Sequence, residues 1–226
     1  PEVSVDISDE VDAVIDVVIE EPVPVIEEYP WHDAVLATQF YIGESGSSGS
    51  TAWDCHAFEH YGGEDNPFNR VGYYPNGFVP QENPFYFALP YTDVGSHGVG
   101  RVEIPWYDAS LDDSSYSFVK NTWVEVNKDG KTCYAQWEDC LTPRLESGGR
   151  DHCTYFDYVF SDGDVPHPGI DVSPAVSDCL GMDAPDDLEF GHSDGYVSWR
   201  FIADQDVPDG HWKEIITTRQ IDWEDC

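Results

Sequence analysis

Basic residues are scarce in this chain. Among its 226 residues only 10 are Lys or Arg, against 45 Asp or Glu, for a formal net charge of −35. That imbalance excludes nucleic acid, anionic lipid and polyanionic glycans as natural partners, because like charges repel across any such interface. It favours a solvated acidic surface, cation binding or life in high salt or cold water. Long apolar runs are also missing. None reaches the ~18 residues that a membrane-spanning helix requires. There is one methionine, and the chain opens on Pro1, which reads as a mature, processed form. No Cys-x-x-Cys pair occurs, so a zinc ribbon is not expected. No Gly-rich phosphate loop or nucleophile elbow occurs either, which removes support for nucleotide binding and for serine-centred catalysis.

What is abundant points to β structure. Aromatics are frequent (8 Trp, 13 Tyr, 11 Phe), and 19 Gly with 16 Pro supply tight turns. Strands are expected at 35–43, 85–91, 99–107, 117–126, 131–138, 154–160, 169–172, 196–202 and 212–218. Asp129-Gly130 between two of them is a strong hairpin signal. Ser173 suits a helix N-cap, Pro174 the first helical position and Gly181 the stop, so a short helix is expected between them. The six cysteines are Cys55, Cys133, Cys140, Cys153, Cys179 and Cys226. An even number in a β-rich chain points to three disulfides and an oxidising compartment. Fifteen pairings are open, with Cys140–Cys153, which bracket a polar insertion, the first choice.

Residues 1–30 form a distinct segment with ten acidic residues, no basic ones and twelve Val or Ile. Val3, Val5 and Ile7 alternate with Glu2, Ser4, Asp6 and Ser8, a strand signature. Disordered linkers are depleted in β-branched residues, so this arm is expected to pair with a sheet, its own or a neighbour's. Residues 31–226 are expected to form the main, disulfide-stapled domain.

Three motifs bear on chemistry. Gly169-Ile170-Asp171-Val172-Ser173-Pro174 places one carboxylate at the end of a short strand, where it can serve as a general acid or bond nearby backbone donors. His56-Ala57-Phe58-Glu59-His60 matches the inverted zincin pattern, which needs a helix with both histidines on one face and a third ligand. Asp204, Asp206 and Asp209 have a spacing that hints at calcium but lack the distal bidentate Glu of an EF-hand loop.

"IDVSPAVSDCLGM" followed by "VSWRFI" resembles the closing segment of the double-psi β-barrels. These include the expansins, the rare-lipoprotein-A-type lytic transglycosylases and the family 45 endoglucanases. Gly130 to Cys140 resembles the barrel strand that ends in an Asp-x-Gly-Pro-like turn, here Asp139-Cys140-Leu141-Thr142-Pro143. Ala37-Thr38-Gln39-Phe40-Tyr41-Ile42-Gly43 resembles the opening strand. Together these cover roughly residues 35–220.

The resemblance implies a mainly β, six-stranded double-psi-like barrel with long loops, one short helix and an N-terminal extended arm. It also implies a secreted or cell-surface, expansin-like protein that binds or remodels polysaccharide in a groove centred on Asp171. If hydrolytic or lytic, Asp171 would be the acid and Asp139 its partner, with Glu138 or Asp54 as lesser candidates. Tyr134, Trp137, Trp106 and Tyr107 would offer flat faces to sugar rings. No cofactor is required, and calcium is allowed. The rival expectation is a subunit of an extracellular filament, self-assembled by donation of residues 1–30 to a neighbour's sheet.

Overall fold

A computed structural model describes residues 29–46, 49–95, 98–143, 153–182 and 193–224. The chain folds around one barrel. In order, the elements are β1 (His32–Gln39), α1 (Ala57–Tyr61), β2 (Arg70–Val71), β3 (Tyr74–Pro75), β4 (Tyr86–Leu89), β5 (Trp123–Lys128), β6 (Lys131–Cys140), α2 (Phe156–Phe160), β7 (Ile170–Val172), α3 (Pro174–Leu180) and β8 (Ser193–Ile202). Six strands close in the order β1-β7-β4-β6-β5-β8, and β2–β3 is a separate two-stranded ribbon. The protein is therefore mainly β with a closed six-stranded barrel, as the sequence leads one to expect. The expected arm at 1–30 lies, apart from Tyr29 and Pro30, outside the described residues.

Pairing is mixed. β1–β7 and β4–β6 are parallel. β1–β8, β4–β7, β5–β6 and β5–β8 are antiparallel. Exchanging β1, β4, β5 with β6, β7, β8 in that order maps every barrel ladder onto itself or onto another of the same sense, so the barrel has an internal twofold topology.

Alternation decides what fills it. Val35 and Ala37, Phe87 and Leu89, Val124 and Val126, Cys133, Ala135 and Trp137, Ile170 and Val172, and Val197, Trp199 and Phe201 enter one buried cluster. A smaller cluster of Ile42, Tyr61 and Tyr86, joined by Phe40, Phe58 and Phe78, lies on the other side of β4.

Local signals explain the best-matched elements. Asp129 (φ 51°) and Gly130 (φ 81°) make the left-handed two-residue turn between β5 and β6. At α3 the Ser173 Oγ accepts the Val176 N–H, Pro174 takes the first turn, and Gly181 closes the helix at φ 65°.

Elsewhere tertiary packing overrode the strand pattern. Residues 156–160 form α2, not a strand, because Phe156, Val159 and Phe160 recur at helical spacing and pack on the barrel cluster. The expected strands at 99–107 and 212–218 are 3-10 turns at Arg101–Glu103 and His211–Lys213. Among the described residues there are three short α-helices where one was expected. The 92–118 loop is anchored instead by buried Asp93, which accepts bonds from Arg101 Nη1 (2.7 Å), Ser117 Oγ (2.6 Å) and the Phe118 N–H (2.6 Å).

Cys140–Cys153 is a disulfide, as expected, and Cys55 is also disulfide-bonded. Cys133 and Cys179 are free thiols, so the expected three bridges are not all formed.

Candidate functional site

Asp171 sits on β7 between two inward residues, Ile170 and Val172, so its own side chain faces out of the barrel and is half-buried. It pairs in register with Thr38 of β1 and with Ala88 of β4. Ala88 in turn pairs with Asp139 of β6.

The outward position of Asp139 depends on a bulge. Cys133, Ala135 and Trp137 all point inward, and strict alternation would send residue 139 inward too. The register shifts between Phe87↔Trp137 and Ala88↔Asp139, leaving Glu138 as the extra residue, and this reverses the parity. Thr38, Asp171, Ala88 and Asp139 thus form one outer row across four strands. The two aspartates stand two strand spacings apart, about 9–10 Å between Cα atoms.

Asp139 is well held. Its Oδ1 accepts the N–H groups of Ala52 and Cys140, both at 2.7 Å. Burial pushes its carboxyl up to about 7, against the downward pull of those two N–H groups and of Lys120. Glu138, at the bulge, is buried and bonds Lys120 Nζ through Oε2 at 2.7 Å. Its Oε1 has no hydrogen-bond partner among the described residues. Burial raises Glu138 to about 7 as well, helped by the nearby charge of Glu82 and opposed by Lys120.

Asp54 lies close by, almost fully buried, with Oδ2 on His60 Nδ1 at 2.7 Å and Oδ1 accepting the His56 N–H. Burial also lifts Glu82, which meets Arg219 at 3.3 Å. The bulge therefore gathers Asp54, Glu82, Glu138 and Asp139 around one buried lysine and one histidine. Glu138 and Asp139, both raised to about 7, can hold or give up a proton there, the property a general acid requires.

The four expected sugar-facing aromatics do not form one platform. Trp137 is fully buried in the barrel and donates its Nε1–H to the Asp139 carbonyl at 2.8 Å, so its ring faces are covered by packing. Tyr134 faces out on β6 and lies against Trp212, centroids 4.9 Å apart. Trp106 is half-buried and lines a separate cleft of about 470 Å³ with Tyr29, Trp123, Phe201 and Lys120. Tyr107 packs on Phe118 and donates its hydroxyl to Asp112.

The other motifs lie elsewhere in the fold. α1 begins at Ala57 and has five residues, so His56 stands outside it as N-cap, bonded to Cys55 Sγ, while His60 is turned to Asp54. Asp204–Asp206 is a 3-10 turn, and Asp209 lies beyond it. Among the described residues no group of three or more His, Cys, Asp or Glu side chains is arranged to hold a metal ion.

Sequence reasoning singled out Asp171, Asp139, Glu138 and Asp54 but passed over Lys120, Glu82 and the pairing of His60 with Asp54. Lys120 carried a signal. It is one of ten basic residues and sits in the apolar stretch Phe118-Val119-Lys120, where a lysine needs a buried partner. No family model matches this chain, and no curated protein matches it.

Proposed function

We propose that the protein is a double-psi-type, expansin-like protein of the extracellular space. In this reading it binds polysaccharide on the outer barrel face around Asp171, with Asp171 and Asp139 as the acid–base pair of a remodelling reaction. One observation carries the reading: the row Thr38–Asp171–Ala88–Asp139, which sets a half-buried carboxylate across one strand from a second carboxyl that titrates near 7. A pair of unlike carboxyls at a separation of roughly 6.5–9.5 Å is what glycoside cleavage with an interposed water employs. The twofold topology of the barrel supports the family reading, and the disulfides at Cys140–Cys153 and Cys55 fit an oxidising compartment.

The filament reading is less favoured. The main sheet is closed, so a donated strand finds free edges among the described strands only at the short β2–β3 ribbon.

The test is a pair of variants, Asp171→Asn and Asp139→Asn, assayed for retention on insoluble cellulose, xylan, chitin and peptidoglycan and for release of soluble sugar. Each should lose sugar release, or the bound fraction where no release occurs, while keeping its far-UV spectrum. Wild-type protein that neither binds nor cleaves any of the four, or variants that behave like wild type, would overturn the proposal.

A further inference from the structure

Cys133 and Cys179 are the two free cysteines among the described residues. They come from different elements, β6 and α3, which pack together. The Cys179 sulfur reaches the carbonyl of Thr132, the residue before Cys133, at 3.7 Å, and the Cys133 sulfur reaches the Tyr134 carbonyl at 3.9 Å. Their environments are unequal. Cys133 is fully buried among the barrel residues, whereas Cys179 is half-exposed on the rim. Lys131 extends to the same rim. A Cβ built on Gly181 would collide with its Nζ, so the ammonium lies across the end of α3, two residues beyond Cys179.

We infer that Cys133 and Cys179 are a poised dithiol, with Cys179 the entry thiol and Cys133 the resolving thiol of a third, reversible crosslink between α3 and β6. The Cys179 thiol is lowered chiefly by the neighbouring Cys133 thiol and, more weakly, by Lys131, while burial holds the Cys133 thiol high. That ordering matches the roles, since a thiolate attacks and a buried thiol waits.

The oxidant is a small-molecule disulfide. The Cys179 thiolate attacks one of its sulfurs, forming a mixed disulfide and releasing one thiolate. Cys133 then attacks the Cys179 sulfur, forming the Cys133–Cys179 bond and releasing the second. Two protein thiols are oxidised, one external disulfide is reduced, and both protons end on the released thiols. The crosslink would join the helix that follows Asp171 to the strand that carries Asp139, and it stands whether or not polysaccharide is the ligand.

The experiment treats protein purified without reductant with oxidised glutathione, then alkylates and maps the peptides. A Cys133–Cys179 peptide and a mass lower by two hydrogens are expected, with Cys140–Cys153 unchanged. Cys133→Ser should stop at a stable glutathione adduct on Cys179. Because Cys133 is buried and its variant risks misfolding, Cys179→Ser gives a second reading, in which native Cys133 should resist both oxidant and alkylating agent until the protein is denatured. The inference is overturned if both thiols of the wild type alkylate after oxidation. It is equally overturned if glutathione persists on wild-type Cys179, if Cys179 bridges two chains, or if native Cys133 reacts in Cys179→Ser.

Discussion

Replacing Asp139 by Asn should make the protein more stable as the pH rises. Both N–H donors to this side chain, from Ala52 and Cys140, end on Oδ1. An asparagine can present its amide oxygen to both and keep the geometry, so the change removes only the ability to ionise. In the fold the carboxyl titrates at about 7, against an ordinary value of 3.8, because burial disfavours its charge. A group raised in this way contributes its stability fully below pH 3.8 and loses it as the pH climbs through 7. At about 1.4 kcal/mol per tenfold change in the proton equilibrium, the whole effect is on the order of 4 kcal/mol.

Wild type and variant should therefore be nearly equal at pH 4 and separate by up to about 1.4 kcal/mol per pH unit, with the variant ahead at pH 8. Urea unfolding at matched ionic strength from pH 4 to 8 measures this. The difference curve matters more than either curve alone, because Glu138 titrates in the same range and His32 gives the opposite slope. Parallel curves would refute the claim that Asp139 is held uncharged by its surroundings.

Three further outcomes are expected. Ser173→Ala removes a buried hydroxyl that donates to the Pro84 carbonyl at 2.7 Å and accepts the Val176 N–H, and should cost roughly 1–3 kcal/mol in chemical denaturation. Gly181→Ala forces a side chain into a left-handed turn and against Lys131. Its melting temperature should fall by several degrees, for a loss of about 1–2 kcal/mol, and Lys131→Ala in the same background should recover part of it. His32 stacks on Trp199 at 4.0 Å and is lowered to about 4, chiefly by burial. It stays neutral in the fold while the unfolded chain takes up a proton below 6.5, so stability falls from pH 6.5 towards 4. In His32→Phe that acid-side fall, read by thermal melts, should flatten.

Much of this was legible in the sequence where the signal was local. Ser173, Pro174 and Gly181 announce α3 within a dozen residues, Asp129-Gly130 announces the hairpin, and Cys140–Cys153 could be chosen from its short loop. The short strand that carries Asp171 follows from the same stretch, although Asp171 is its central residue and not its end. What could not be read depended on distant partners. The segment around Tyr158 has strand-like composition, yet it is a helix because the barrel offers it a surface to cover. Trp137 looked like a binding face and is core, since β6 is enclosed along its whole inner side. The bulge at Glu138 turns Asp139 outward, and no residue type at 137–140 signals it, because it arises from the register with β4. The enclosure of Lys120 among Glu82, Glu138 and Asp54 joins four separate stretches of chain.

The exchange symmetry of the barrel has a consequence for how this chain holds together. Every barrel ladder joins one of β1, β4 and β5 to one of β6, β7 and β8, and no barrel strand pairs with another of its own set. Either set by itself contains no sheet at all. Once the disulfide at Cys55 is reduced, a chain nicked at the Asp129-Gly130 turn would be an obligate heterodimer in which association and barrel formation are the same event, with no half-barrel left behind when it comes apart.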